Sequence, residues 1–218
     1  FDHMKKQWVF EKDTELEIAP RLKIIALKGI GYKKNLSFSR FLDHRIVAKK
    51  FFRKAKNKSR PDVIIASLPP HDLAFKAIEF AKRNNIPSVV DLRDPWPDIF
   101  LERLPSFFRT PAKTILFFDF NMVRKTMRMA DCIMAVSDSL LQLGLKYAGR
   151  KRAAYDTIIP LGYKKPPLID QTRVKPEFFT MASTLKNKFV VFFVGTISGS
   201  FHNPMILVEA DRKSTRLN

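Results

Sequence analysis

Short apolar runs alternate with amphipathic stretches between residues 61 and 163, and this alternation constrains the fold more than any other feature. The runs PDVIIAS (61–67) and DCIMAVS (131–137) contain almost no polar residues. The stretches HDLAFKAIEFAKRNN and SDSLLQLGLKYAG repeat apolar residues at helical spacing. Strands of a parallel sheet are buried on both faces and are joined by helices. The alternation therefore predicts an α/β fold with a parallel sheet that helices cover on both faces.

The same patterns give approximate positions for the elements. Strands are predicted at 21–29, 61–67, 86–91, 131–137 and 156–163. Helices are predicted at 37–58, where Ser37 or Ser39 can cap the start, and at 71–85, 111–129 and 137–149. The stretch 92–110, with several prolines, is predicted to be irregular.

A proline- and lysine-rich stretch at 164–187 interrupts the alternation and is predicted to be a linker. The pattern then restarts with KFVVFFVGTISGS and NPMILVEA. We therefore predict a first domain at 1–163 and the first βα unit of a second domain at 188–210. The closing DRKSTRLN (211–218) breaks the helical pattern and resembles the translation of a sequencing adapter, so we expect a non-native tail. The start at Phe1 indicates a truncated N-terminus.

Charge and cysteine content narrow the classes of partner. Forty Lys and Arg against 21 Asp and Glu give a formal net charge of +19. Such a surface is expected to attract nucleic acid, anionic lipid or phosphorylated ligands. Cys132 is the single cysteine and cannot form an internal disulfide, which suits a reducing cytoplasm. No apolar stretch approaches the roughly 18 residues that a membrane-spanning helix needs.

Polar residues cluster where predicted strands end, in ASLPPHD, VVDLRDPWPDIF and VSDS. In an open parallel sheet, ligands bind outside the carboxyl ends of the strands. Arg93 offers a planar fork for phosphate, Asp94 can accept hydrogen bonds from hydroxyls, and Trp96 offers a face for a sugar ring. The alternative is local: Arg93 pairs with Asp94, Asp91 bonds backbone amides, and Trp96 packs on the prolines. The residues alone leave both interpretations open.

Five segments together resemble the family 4 glycosyltransferases of the GT-B fold, particularly the bacterial enzymes that build O-antigen and capsule sugars. They are PDVIIASLPP, AKRNNIPSVVDLRDPWPDIF, ADCIMAVSDSL, IIPLGY and FVVFFVGTIS, within about residues 25–210. The resemblance implies two Rossmann-like domains that face a cleft, an acceptor-side domain at 1–163 that is incomplete at its start, and a donor-binding domain beginning at 188. It implies sugar transfer with retention from a nucleotide-sugar donor to a lipid-linked glycan, without a metal or other cofactor.

The resemblance also implies roles for individual residues. Asp91, Arg93 and Asp94 match the catalytic loop, in which Arg93 stands where the family usually has His. Ser67, His71 and Trp96 are expected to face the acceptor, and Gly195, Thr196 and Ser198 the donor diphosphate. The family's glycine-rich loop would precede Phe1, and its paired donor-binding glutamates would follow position 210. The chain by itself is therefore expected to be inactive.

Two stretches combine Lys and Arg with Phe, RIVAKKFFRKAKNKSR (45–60) and LPSFFRTPAKTILFF (104–118). Each is either a solvated helix surface or a surface that binds anionic membrane. Because enzymes of this resemblance use lipid-linked acceptors, we expect a cytoplasmic protein attached peripherally to the inner face of the plasma membrane.

Two other classes of function stay open as hypotheses. A non-catalytic or epimerase-type GT-B relative would share the first domain and differ in the donor half. A nucleic-acid-binding protein is suggested by charge alone, but no recognised module is present and most aromatic residues are Phe within apolar runs. A metal site is not predicted, because the four histidines are scattered and DLRD is not the Asp-x-Asp of metal-dependent transferases.

Overall fold

The computed structural model describes residues 10–32, 37–102, 104–162, 175–191 and 204–215. The chain divides into two compact units, 1–161 and 162–218, close to the predicted boundary at 163. The first unit contains β1 (Thr14–Ala19), β2 (Leu22–Ala26), α1 (Phe38–Ala55), β3 (Ile64–Leu68), α2 (His71–Arg83), β4 (Ser88–Leu92), α3 (Asp98–Glu102), α4 (Ser106–Ile115), α5 (Phe117–Met129), β5 (Cys132–Ala135), α6 (Asp138–Ala148) and β6 (Thr157–Ile158). The second contains α7 (Pro176–Thr184) and α8 (Met205–Thr215).

The first unit is built on a four-stranded parallel sheet in the order β3-β4-β5-β6. Its register aligns Ala66 with Val90 and Val90 with Ile133. Because parallel crossovers are right-handed and the strands follow chain order, the connecting helices lie on one face. The core on this face includes Leu68, Ala77, Ile78, Leu92, Val123, Met127, Ile133 and Leu141. The predicted α/β fold and parallel sheet are therefore confirmed.

The opposite face of the sheet is open among the described residues. Its side chains alternate with the core set, and Ile65 on this face is 61% exposed. The prediction that helices cover both faces is therefore wrong for this part of the chain. The physical reason is that the connections β3–β4, β4–β5 and β5–β6 all advance in one direction, so each crossover helix adds to the same layer.

A β-hairpin precedes the sheet and does not join it. The strand predicted at 21–29 is β2, which pairs antiparallel with β1 through a turn at Arg21. Ion pairs connect the hairpin to α1, from Asp13 to Lys50 at 2.9 Å and from Glu15 to Lys54 and Lys58 at 2.7 and 3.0 Å. These contacts lower the pKa values of both carboxyl groups, chiefly through the hydrogen bonds from the lysines.

Helices also occupy the stretch predicted to be irregular at 92–110. The chain there forms α3 and the first half of α4, and the helix predicted at 111–129 is divided between α4 and α5 at Leu116. Pro111 lies inside α4, where its missing amide removes one helical hydrogen bond. The prolines therefore begin and weaken short helices here instead of preventing them.

The helix predicted at 137–149 is confirmed as α6. Ser137 accepts a hydrogen bond from the amide of Leu140 at 3.4 Å, and Gly149 ends the helix with φ of +66°. Asp156 ties the following loop to the sheet, accepting from the amides of Ile133 at 2.8 Å and Ala153 at 2.7 Å and from the Arg150 guanidinium. The strand predicted at 156–163 is shorter, since β6 contains two residues.

The second unit differs in part from the predicted linker and βα unit. Helix α7 lies inside the segment 164–187 that we interpreted as a linker. Helix α8 includes the helical pattern of NPMILVEA and continues into the segment 211–218, interpreted as a tail. Phe189, Val190 and Val191 form no strand, and residues 192–203, with the rest of the predicted strand, lie outside the described residues.

Asp156 provides a test of the fold through its titration. Although burial raises its pKa, the hydrogen bonds from Arg150, Ala153 and Ile133 outweigh burial and lower the pKa from 3.8 to about 2. Its stabilising contribution is therefore complete above pH 3.8 and is lost as the pH falls through about 2. We expect Asp156→Asn to lower the free energy of unfolding at pH 7 by about 2 kcal/mol.

Urea unfolding followed by circular dichroism between pH 7 and pH 2 measures this effect. The exposed Asp62→Asn is the control and should match the wild type at every pH. If Asp156→Asn and the wild type lose stability with the same slope below pH 4, the proposed network does not hold β5 and β6 together.

Candidate functional site

The carboxyl edge of the sheet holds an arginine fixed by a buried acid. Ser67 and Asp91 are register partners on β3 and β4. Asp91 Oδ2 accepts from Ser67 Oγ at 2.8 Å and from Arg93 Nε at 2.6 Å. The amide of Arg93 also donates to the carbonyl of Leu68 at 3.1 Å. Asp91 is 4% exposed, whereas the Arg93 side chain is 56% exposed. A buried carboxylate thus holds, through Nε, an arginine side chain that is largely exposed at the rim.

The local alternative of an Arg93–Asp94 pair is not what the structure has, because Arg93 pairs with Asp91. Asp94 is exposed, and its backbone carbonyl accepts from the amide of Trp96 at 2.8 Å. Its carboxylate forms no ion pair with any residue that the structure describes. Of the three charged residues predicted to act together, Asp91 therefore orients the cluster, while Arg93 and Asp94 face solvent.

Trp96 is half-buried between α1 and the loop that follows β4. The guanidinium of Arg40 lies 4.7 Å from the centre of the indole, and Phe100 packs edge-on at 4.6 Å. A sugar approaching the ring face that Arg40 covers would have to displace that guanidinium. Trp96 can therefore offer a ligand only the part of its ring that the Arg40 guanidinium does not cover.

His71 was expected to face the acceptor, but its side chain is 1% exposed and lies beneath Trp96. Nε2 is 2.7 Å from Asp119 Oδ1 and 3.5 Å from Asp72 Oδ2. Nδ1 is buried without a hydrogen-bond partner among the described residues. His71 therefore lies beneath the rim, where it packs near Trp96, and does not face a ligand. One indication of its partner Asp119 was present in the sequence, where it is the only charged residue in the apolar run ILFFDFNMV.

Further polar residues surround this pair where α1 crosses α2. Asp43 is buried and accepts from the amide of Gly31 at 2.7 Å, and its carboxylate occupies the space that a side chain at Gly29 would need. Burial, followed by the charges of Arg40 and His71, lowers the pKa of His44 to about 4. Burial raises the pKa of Asp72. No motif marks these residues, because they meet only when the two helices pack.

The other residues that the sequence suggested as candidates have structural roles or lie outside the described residues. Ser137 caps α6, and Cys132 donates to the carbonyl of Tyr155 at 3.0 Å, with a pKa that burial raises. Within the described ranges, no group of three or more His, Cys, Asp and Glu side chains is arranged to hold a metal ion. The predicted donor-diphosphate residues lie outside the described residues, at Gly195, Thr196 and Ser198.

An exposed apolar surface lies on α4 and the start of α5, and we call it the α4–α5 patch. Its exposed fractions reach 71% at Phe107, 79% at Ile115 and 72% at Phe118, and Phe108 and Phe117 complete it. No residue of α4 is buried. Among the helices that the structure describes, none combines the length and apolar character needed to cross a membrane.

The basic stretch 45–60 is largely engaged within the protein. Five of its eight cations have ion-pair or hydrogen-bond partners, namely Arg45, Lys50, Lys54, Lys58 and Arg60, and Lys56 lies over the ring of Phe52 at 5.1 Å. Lys49 forms no ion pair with the described residues and is exposed. The charge count of this stretch therefore overstates what α1 can offer to an anionic partner.

The His71–Asp119 contact predicts a non-additive effect on stability. His71→Leu leaves the Asp119 carboxylate, 8% exposed, without its closest partner, and should lower the free energy of unfolding by about 3 kcal/mol. His71→Leu combined with Asp119→Leu should lose less than His71→Leu alone, because both polar partners are then removed. Urea unfolding of the wild type, of the single variants His71→Leu and Asp119→Leu, and of the double variant measures these losses. Strictly additive losses would show that the two side chains do not interact.

Comparisons with protein-family models, with curated proteins and with solved structures found no match for this chain. The resemblance in the five quoted segments consequently has no independent support from relatives. The function has to be argued from the chemistry of the side chains at the sheet edge and on the surface.

Proposed function

We propose that the chain is part of a retaining glycosyltransferase with Rossmann-like GT-B domains, which transfers a sugar from a nucleotide-sugar donor to a lipid-linked glycan. Residues 1–163 would form the acceptor side. The observation that carries the proposal is Arg93, fixed by Asp91 and Ser67 at the carboxyl edge of a parallel sheet, with exposed Asp94 next to it. That edge is where α/β sheets bind their ligands.

The arrangement suits a reaction in which a diphosphate leaves. A guanidinium is charged at all relevant pH values and can donate two parallel hydrogen bonds to phosphate oxygens. Since Nε of Arg93 donates to Asp91, the two terminal nitrogens of this exposed side chain are left for a ligand. A cation held in advance at the place where negative charge develops lowers the barrier without further reorganisation.

Asp91 and Asp94 take different parts in this proposal. Asp91 is a positioning residue, because its carboxylate is buried and bonded to Arg93 and Ser67. Asp94 is the group that can accept a hydrogen bond from the acceptor hydroxyl, since its side chain is exposed beside Arg93. Holding the hydroxyl close to the donor sugar supplies much of the rate by proximity. In the same proposal, Gly195, Thr196 and Ser198 approach the donor diphosphate.

Binding of a leaving-group analogue tests the role of Arg93. Inorganic pyrophosphate, a minimal analogue of the diphosphate that leaves the donor, should bind the wild-type protein, and Arg93→Gln should weaken binding about tenfold or more through loss of charge-assisted hydrogen bonds. Isothermal titration calorimetry measures both affinities. Arg128→Gln removes an exposed cation from α5 and should bind like the wild type. Equal affinities of Arg93→Gln and the wild type would remove the support for a diphosphate site at this edge.

We also propose peripheral attachment to the inner face of the plasma membrane through the α4–α5 patch. The five apolar side chains of this patch remain largely exposed in the part of the chain that the structure describes. Basic side chains lie on both sides of the patch, Lys125 beside Phe118 and Lys113, Arg124 and Lys146 beside Phe117. Apolar insertion combined with attraction to anionic lipid is the basis of interfacial binding.

Vesicle binding tests this attachment with a control from the same chain. Phe107→Ser with Phe108→Ser should weaken binding to vesicles of phosphatidylcholine and phosphatidylglycerol about tenfold or more, because two exposed rings no longer enter the lipid. Phe178 and Phe179 on α7 are a second adjacent exposed pair, and the same substitutions there should have little effect. Sedimentation with vesicles measures the binding.

An unspecific oligonucleotide measured at physiological salt separates membrane from nucleic acid. Tighter binding to the oligonucleotide than to the vesicles would favour the nucleic-acid hypothesis. Equal losses for the two phenylalanine pairs would show that the α4–α5 patch has no special part in attachment.

A further inference from the structure

A cavity of about 490 Å³ lies between α1, α2 and α5, outside the rim that carries Arg93. This volume lies in the range of about 300–1,000 Å³ that is usual for ligand sites. Helix α1 contributes Arg45 and Lys49, α2 contributes Lys76, and α5 contributes Lys125. Four cations from three helices therefore line one concave surface.

Some of the cations that line this cavity are already paired with acidic side chains of the protein, and others are not. Arg45 lies 3.6 Å from Asp72, the only acid in the lining, and Lys76 pairs with Glu79 at 2.6 Å. Lys49 and Lys125 are exposed and form no ion pair with any residue of the described ranges. These two lysines are therefore the cations available to an anionic ligand.

Apart from Asn121, the rest of the lining is apolar. Phe75 and Met122 contribute to the walls, and Phe118, which is 72% exposed, lies at the border of the cavity. Phe118 also belongs to the α4–α5 patch, so the cavity and the patch are continuous. A ligand that matches this surface carries a negative charge at one end and hydrocarbon at the other.

We propose that the cavity binds the phosphate-bearing headgroup of an anionic membrane lipid, with Lys49 and Lys125 as its cationic contacts and Phe118 among the acyl chains. The proposal rests on the membrane attachment proposed above and adds a specific lipid site to it. Lys49 and Lys125 approach from separate helices, so a phosphate between them would bridge α1 and α5. Free phosphate has no hydrocarbon for Phe118 and Met122 and is a poorer match.

The test compares two charge-matched double variants of the whole chain on vesicles of phosphatidylcholine with phosphatidylglycerol. Lys49→Gln with Lys125→Gln should weaken binding about twentyfold, since each lysine at an anionic surface contributes roughly fivefold. Lys12→Gln with Lys82→Gln removes the same charge from exposed positions outside the cavity and should cost about twofold or less. Thermal unfolding followed by circular dichroism checks that both double variants keep the fold of the wild type.

Four further results separate the possible explanations. Failure of the wild type to bind these vesicles would overturn both membrane attachment and the lipid site. Binding of the wild type with equal losses in the two double variants would overturn the lipid site alone. Inorganic phosphate added at constant ionic strength should not displace vesicles; displacement that depends on Lys49 and Lys125 would assign the cavity to free phosphate. The same dependence with an oligonucleotide as competitor would assign it to nucleic acid.

Discussion

The right-handed crossover between parallel strands determines the arrangement of the first unit. Because β3, β4, β5 and β6 follow one another in both chain and sheet, each connection returns over the same face. The core therefore forms on one side, and the carboxyl ends of all four strands meet at one edge. Arg93 lies at this edge. The cationic cavity lies between the crossover helices α2 and α5 and helix α1, which precedes the sheet. The position of Arg93 thus follows from strand order, whereas the cavity also requires α1.

Buried carboxylates connect the elements of this strongly basic chain. Asp91 connects β3 with the loop after β4, Asp119 connects α5 with His71, and Asp156 connects β5 with the loop before β6. Asp43 binds the loop at Gly31 to α1. Each accepts hydrogen bonds in a place where an unpaired charge would be costly. Several of the scarce acids therefore act inside the fold, which leaves the surface with still more positive character.

Local periodicity predicted most of the elements that form the core. The apolar runs predicted β3, β4 and β5, and helical spacing predicted α1, α2 and α6, with Ser37, Ser137 and Gly149 at their ends. The hairpin was missed because Leu16 and Ile18 in β1 alternate with Glu15 and Glu17, so that β1 contains no continuous apolar run. The pairing of His71 with Asp119 joins residues 48 positions apart, whereas Arg93 pairs with Asp91 only two positions away, and its choice of Asp91 over Asp94 depends on the backbone geometry after β4. Residue spacing carries no information on such contacts, so the types of site residue were predictable and their partners were not.

The hairpin depends on α1 in a way that makes its position sensitive to salt. Its contacts with α1 are surface ion pairs of Asp13 and Glu15 with lysines, while Ile18, Leu22 and Ile24 remain exposed. Electrostatic screening shortens to about 3 Å at molar ionic strength, which weakens such pairs, whereas apolar packing strengthens under salting-out conditions. Concentrated salt would therefore loosen the hairpin while the sheet and its helices stay intact, and would free Lys50, Lys54 and Lys58 at the same time.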